Sequence, residues 1–134
     1  MRVLIDTNVI IDGLQSRKGF LEDAGQVMLR ACDYEGYVTA NSLTDIFYLQ
    51  SRFFHSREKA KQNLADLTKV FRILDTTAAD CENALRNKMP DFEDAVALES
   101  ALRGRIDVIV TRNKKDFVDS AIMICDPIEF LRLF

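Results

Sequence analysis

Residues 2–14 read Arg2-Val3-Leu4-Ile5-Asp6-Thr7-Asn8-Val9-Ile10-Ile11-Asp12-Gly13-Leu14. Val3 to Ile5 is a short, partly β-branched apolar run. It stops at Asp6-Thr7-Asn8, which are turn and helix-capping residues, and Val9 to Leu14 continues as one or two helical turns. The stretch therefore reads as a strand with an acid at its carboxyl end. Working outward, the pattern recurs. Tyr37-Val38-Thr39 reads as a second strand, Phe71 to Leu74 as a third, Ile106 to Val110 as a buried fourth ending in Thr111-Arg112-Asn113, and Ala121 to Cys125 as a fifth. Between them lie helices. Glu22 to Tyr34 carries Ala24, Val27, Met28, Ala31 and Cys32 at steps of three and four, and Gly36 ends it. Asn41-Ser42 caps a helix from Leu43 to about Phe54, with Leu43, Ile46, Phe47 and Phe54 inward. Ser56 to Phe71 is amphipathic, Thr76-Thr77 caps a helix to about Asn87, and Lys88-Met89-Pro90 breaks it. Asp91 to about Arg103 is the strongest helix, ended by Gly104, and Pro127 starts a short last one. Ser16 to Gly19 reads as a loop. Strands alternating with helices need crossover connections, so the fold class is α/β with a parallel sheet covered on both faces.

The chain has 134 residues, which at about 150 residues per domain makes 1–134 a single domain. With 48% hydrophobic and 29% charged residues, 5 Gly and 2 Pro, it is expected to fold around a core rather than remain disordered. The balance of 18 basic against 21 acidic residues gives a net charge of −3, which excludes a nucleic-acid binder built on a strongly basic body. Phosphate-bearing partners then require local basic clusters or a cation. Cys32, Cys81 and Cys125 are odd in number and scattered, so they read as buried thiols of a cytoplasmic protein. His55 is the only histidine, which argues against a His-rich zinc site or a Ser-His-Asp triad, and it reads as a surface residue. No stretch has the length of a membrane span.

The informative feature is where the acids fall. Asp6 follows the first strand, Asp45 lies in the helix after the second, Asp91 and Asp94 open the helix before the fourth, and Asn113 with Asp116 follows the fourth. In an open parallel sheet, the loops at the carboxyl ends of the strands gather around one crevice. Carboxylates gathered there repel one another unless some protonate or a cation sits between them. Mg²⁺ or Mn²⁺ suits oxygen ligands, and with Asn113 or Thr111 completing an open site such an ion activates water for attack on a phosphodiester. Each acid has a plainer reading beside this one. Asp6 caps the following helix, Asp45 sits favourably at a helix start, Asp91 and Asp94 form a capping pair, and Asp116 pairs with a lysine. Glu93 and Glu99 lie off the face carrying Asp94 and read as solvated. Arg112, Lys114 and Lys115 lie beside the proposed site, while Arg52, Arg57, Lys59 and Lys61 flank a helix junction. Solvation is the default for such residues, and any RNA contact they make is with phosphate.

Taken in order, Val3-Leu4-Ile5-Asp6-Thr7-Asn8-Val9-Ile10, Thr39-Ala40-Asn41-Ser42-Leu43-Thr44-Asp45, Asp91-Phe92-Glu93-Asp94-Ala95 and Ile109-Val110-Thr111-Arg112-Asn113-Lys114-Lys115-Asp116-Phe117 resemble a PIN domain, of the small single-domain kind that includes VapC-type toxins. The resemblance covers essentially the whole chain. It implies a three-layer α/β/α fold with a mostly parallel central sheet, and a Mg²⁺- or Mn²⁺-dependent endoribonuclease. Carried over by position, it implies that Asp6, Asp45, Asp94 and Asp116 are catalytic and that they hold the metal with Asn113. Asn8, Thr111, Arg112 and Lys114 are then expected to bind substrate. Two positions depart from the family pattern: toxins commonly have Glu where Asp45 stands, and often Asp where Asn113 stands. The division of roles between Asn113 and Asp116 stays open, and Asp91 is an additional candidate. The implied partners are an RNA substrate, an antitoxin protein over the acidic crevice and a second copy in a homodimer. A catalytically weak module that binds RNA or an antitoxin-like partner is the alternative. Haloacid-dehalogenase phosphatases also open on a strand and an Asp, but they carry a second Asp two residues later, where this chain has Asn8.

Overall fold

The computed structural model describes residues 1–15, 21–117 and 120–134, so the loop expected at Ser16 to Gly19 lies outside the described residues. The elements follow as β1 (Arg2–Ile5), α1 (Thr7–Leu14), α2 (Leu21–Cys32), β2 (Glu35–Thr39), α3 (Ala40–Phe53), α4 (Arg57–Val70), β3 (Arg72–Leu74), α5 (Ala78–Arg86), α6 (Phe92–Arg103), β4 (Val108–Val110), β5 (Met123–Cys125) and α7 (Pro127–Leu133). A single 3₁₀ turn spans Lys114–Asp116. The strands form one sheet in the order β3-β2-β1-β4-β5, and every neighbouring pair is parallel. Leu4 of β1 stands beside Tyr37 of β2 on one side and Ile109 of β4 on the other.

Side-chain alternation along the strands divides the core in two. Val3 and Ile5 of β1, with Val108 and Val110 of β4, face a cluster built from Val9 and Ile10 of α1, Val27 of α2, Ile46 of α3, Leu67 of α4 and Phe130 of α7. Leu4 and Ile109 face the other way, onto Leu98 and Ala101 of α6. Helices on both faces of a parallel sheet give the three-layer α/β/α arrangement. No helix among the described residues is long and apolar enough to cross a membrane.

Three local expectations need correction. Gly36 does not end α2; it lies buried in β2, where an added Cβ would stand 2.7 Å from the Phe71 ring and 3.2 Å from the Ala31 carbonyl oxygen. Helix α3 begins before the expected Asn41-Ser42 cap, because the Thr39 hydroxyl accepts from Ser42 N at 3.2 Å and makes Thr39 the cap. Of the three thiols expected to be buried, only Cys125 is; Cys32 is exposed and Cys81 is intermediate.

What positions the site is the order of the strands. From β1 the chain moves outward through β2 and β3, then returns to lay β4 against the opposite edge of β1. The connections after β1 and β4 therefore leave in opposite directions and open a crevice between them. Asp6 and Thr111 are the first residues beyond these two strand ends.

Candidate active site

Asp6 is held where β1 passes into α1. Its backbone N–H donates to Val110 O at 3.0 Å, which continues the sheet pairing with β4. Its carboxylate caps α1, with Oδ1 accepting from Thr7 N at 2.7 Å. The other oxygen, Oδ2, accepts from Asn8 Nδ2 at 2.9 Å and from the Thr111 hydroxyl at 2.6 Å. Capping and cleft exposure are thus properties of the same side chain. Thr111 is fully buried, and its Oγ1 also accepts from Asn113 N at 3.0 Å and from Asn8 Nδ2 at 3.3 Å. Asn8 Oδ1 accepts from Arg112 N at 3.2 Å. A polar lattice therefore ties the β1 and β4 ends together around one carboxylate. Asn8 and Thr111, expected to touch substrate, serve in the structure to hold Asp6.

A cleft of about 360 Å³ opens here, lined by Asp6, Thr7, Asn8, Asp45, Tyr48, Leu49, Asp91, Glu93, Asp94 and Asn113, among others. Helix α6 starts at its edge, with the Asp91 side chain accepting from Asp94 N at 2.9 Å as the cap. Pro90 precedes this cap, and Asp91, Glu93 and Asp94 of the cap and first turn line the cleft. Asp45 comes from α3, one and a half turns after its start.

The carboxylates strain one another electrostatically. Burial pushes the Asp94 carboxyl up to about 7, with the negative charges of Asp6, Asp91, Asp116 and Glu93 adding to the effect. Loss of solvation likewise raises Glu93 to about 7, followed by the charge of Asp45 and a hydrogen bond between the two carboxyls. Burial also raises Asp6, against the opposing donors Thr111, Thr7 and Asn8. Among the described residues, no three His, Cys, Asp or Glu side chains are drawn together closely enough to form a ready-made ion cage.

Of the expected site residues, Asp6, Asn8, Asp45, Asp94 and Asn113 line this cleft, as does Asp91. Asp116, in the 3₁₀ turn, is outside the lining but its charge reaches Asp94. Arg112 and Lys114 are directed elsewhere. The Arg112 guanidinium pairs at 2.6 Å with the buried Asp12 and lines a second cavity, while Lys114 pairs with Glu129 at 2.7 Å. Glu93, expected to be solvated, is exposed as expected, and it also lines the cleft. A helical wheel separates it from Asp94, yet both line the cleft from the first turn of α6. Its place in the first helical turn after the Pro90 break is the signal that marks it.

A family profile for the PIN domain matches residues 2–115, and the chain belongs to that family. No curated protein matches it in sequence. The fold is shared with solved toxin structures. A toxin–antitoxin complex from Klebsiella pneumoniae is 23% identical, with 93% of this chain and 97% of that one covered and a TM-score of 0.71. VapBC2 from Rickettsia felis, bound to a DNA fragment from its promoter, is 13% identical over 94% and 98% at a TM-score of 0.72. VapC20 from Mycobacterium tuberculosis, described as a sarcin–ricin loop cleaving toxin, is 20% identical over 80% and 86% at 0.65.

Proposed function

We propose that this PIN domain is a Mg²⁺- or Mn²⁺-dependent endoribonuclease that hydrolyses RNA phosphodiester bonds and acts as the toxin of a toxin–antitoxin pair in the cytoplasm. The observation that carries the reading is the convergence of Asp6, Asp45, Asp91, Glu93 and Asp94 on one cleft at the switch point of the sheet. A phosphodiester cannot approach such a surface unless its charge is offset.

The donor set fits a hard cation, because the wall presents carboxylate and amide oxygens. Thr7 adds a buried hydroxyl with no hydrogen-bond partner among the described residues. Mg²⁺ is commonly held by only one or two carboxylates and otherwise keeps its waters, so a loose acid ring suits it better than a closed cage. Asp6, Asp45 and Asp94 are the residues that would hold it, with Asn113 as a neutral donor and Asp116 behind. Bound there, a divalent ion supplies charge neutralisation for the phosphate and an acidified water for in-line attack. Thr111 and Asn8 orient the Asp6 carboxylate. Asp94, pushed up to about 7, keeps a share of its protons near neutral pH until a cation or a base competes for them.

The solved relatives support the biological part of the reading: VapC20 is described as a sarcin–ricin loop cleaving toxin, and the Klebsiella structure as a toxin–antitoxin complex. An antitoxin that blocks this cleft is expected to carry a basic side chain for the same carboxylates. A homodimer is part of the proposal.

The test is a titration of Mg²⁺ and Mn²⁺ against the purified protein and a panel of RNAs, with Asp6→Asn as control. Cleavage is expected only with divalent ion, and Asp6→Asn is expected to lower it by about a hundredfold or more. Cleavage that survives chelation or the substitution overturns the reading. RNA or partner binding without any cleavage by the parent protein establishes the weak-module alternative in its place.

A further inference from the structure

The acids account for the floor of the cleft but leave open what holds the strand that enters it. Of the three basic residues nearest in sequence, Arg112 and Lys114 are engaged with Asp12 and Glu129, and Lys115 is exposed. Helix α3 offers something else. Asp45, Tyr48, Leu49 and Arg52 follow one another at steps that place them along one face of the helix, and the first three line the cleft. Tyr48 is 56% exposed despite its large ring. Arg52 lies over it, the guanidinium carbon 5.6 Å from the ring centre and Nη1 donating to the phenol oxygen at 2.9 Å. Among the described residues Arg52 has no carboxylate partner. Beyond it, at the start of α4, Arg57 and Lys59 are exposed, and Lys59 lies 5.8 Å over the Phe54 ring.

Resting on the nuclease reading above, we propose that Tyr48 and Arg52 are substrate-positioning residues: the ring stacks on a base of single-stranded RNA, and the guanidinium takes a neighbouring phosphate. The plain alternative is an ordinary helix-surface pair, worth a few tenths of a kcal/mol to the helix. That alternative explains the hydrogen bond but not why a large ring stands half-exposed in the wall of an acidic cleft. A base stacked on it removes that apolar surface from water. The arginine gives up a neutral phenol for a charged phosphate, which is the stronger acceptor. Asp45 and Arg52 are separated by about 10 Å of helix rise, so acid, ring and cation form a track leading out of the cleft. Stacking of this kind tolerates any base, so the element selects an unpaired strand rather than a sequence.

The test is steady-state cleavage of a short unpaired oligoribonucleotide, with Mn²⁺ and at several salt concentrations. The variants are Tyr48→Phe, Tyr48→Leu and Arg52→Gln. Tyr48→Phe keeps the ring and is expected to keep KM. Tyr48→Leu keeps apolar bulk without a stacking face, and its KM is expected to rise between about fivefold and a hundredfold while kcat stays within about twofold. Arg52→Gln is expected to flatten the slope of log KM against log salt by about 0.7, the loss of one phosphate contact on a single strand. If the parent cleaves but KM and the salt slope are unchanged in Tyr48→Leu and Arg52→Gln, the assignment is wrong and the nuclease reading stands. It is equally wrong if Tyr48→Leu alters the mass measured by light scattering and leaves KM alone, since the ring then serves a protein contact. If the parent cleaves no RNA with any divalent ion, the nuclease reading itself falls and this proposal falls with it.

Discussion

Thr111 is the residue on which the geometry of Asp6 turns. Its hydroxyl makes the shortest of the three hydrogen bonds to that carboxylate, and it has no exposed surface. A donor to the ionised form holds a carboxyl down, so removing it lets burial push Asp6 higher. Thr111→Val preserves shape and removes the donor. Cleavage is expected to fall by about ten- to a hundredfold, with the acidic limb of the pH–rate profile moved toward higher pH. An unshifted profile with full activity would show that the hydroxyl is merely satisfied by Asp6 rather than holding it. The residue types at this site were legible in the sequence, since Asp6, Asn8, Thr111 and Asn113 all follow apolar strands. Their roles were less so: a local string gives no sign that Asn8 and Thr111 would face one another across 103 residues, with Asn8 Nδ2 and Thr111 Oγ1 3.3 Å apart.

Helix α6 carries Asp94 into the cleft, and its far end is fastened to α5. Asp80 is 2% exposed in the first turn of α5, where it forms a capping box with Thr77. Burial works against its charge, but the Arg103 guanidinium at 3.0 Å, Thr77 and the Ser100 hydroxyl together hold it below the usual carboxylate range. Arg103→Met strands that buried charge and is expected to cost about 3 kcal/mol in urea denaturation, with Asp80→Asn added as a second change restoring part of the loss. Equal stability of Arg103→Met and the parent would mean that Asp80 is satisfied without the arginine. At this scale most elements were legible. Caps such as Thr77, Asp91 and Gly104 stand where the sequence set them, because capping is a contact within one turn. Gly36 was misread because its reason is a distant one, the Phe71 ring laid against β2.

For the molecule as a whole, the acidic cleft makes stability depend on pH. An unfolded Asp or Glu titrates near 4, whereas Asp94 and Glu93 are pushed up to about 7. Between those values the folded chain binds more protons than the unfolded one, so stability falls as pH rises from about 4 to about 7 and then levels. Carboxylates held low, Asp80 and Glu35, lose their contribution only on the acid side of that window. The melting temperature of the metal-free protein is therefore expected to drop from pH 5 to pH 7.5. Asp94→Asn is expected to reduce the drop and to add roughly 1–3 kcal/mol at pH 7.5. A melting temperature that rises over this range in both proteins would contradict the electrostatic account. Mn²⁺ is expected to raise the parent's melting temperature more at pH 7.5 than at pH 5, where protons compete for the same oxygens.

The sequence alone determined the class of fold and the stations of the acids. Apolar period, caps and breaks act over a few residues, and an all-parallel sheet follows once strands alternate with helices. Only the tertiary structure decided which side chains share a partner. It turned Arg112 and Lys114 toward Asp12 and Glu129, and brought Glu93 and Tyr48 to the wall of the same cleft as the acids. A charged side chain several ångströms long pairs with whatever opposite charge the packing of distant elements brings within reach, and no local spacing encodes that choice.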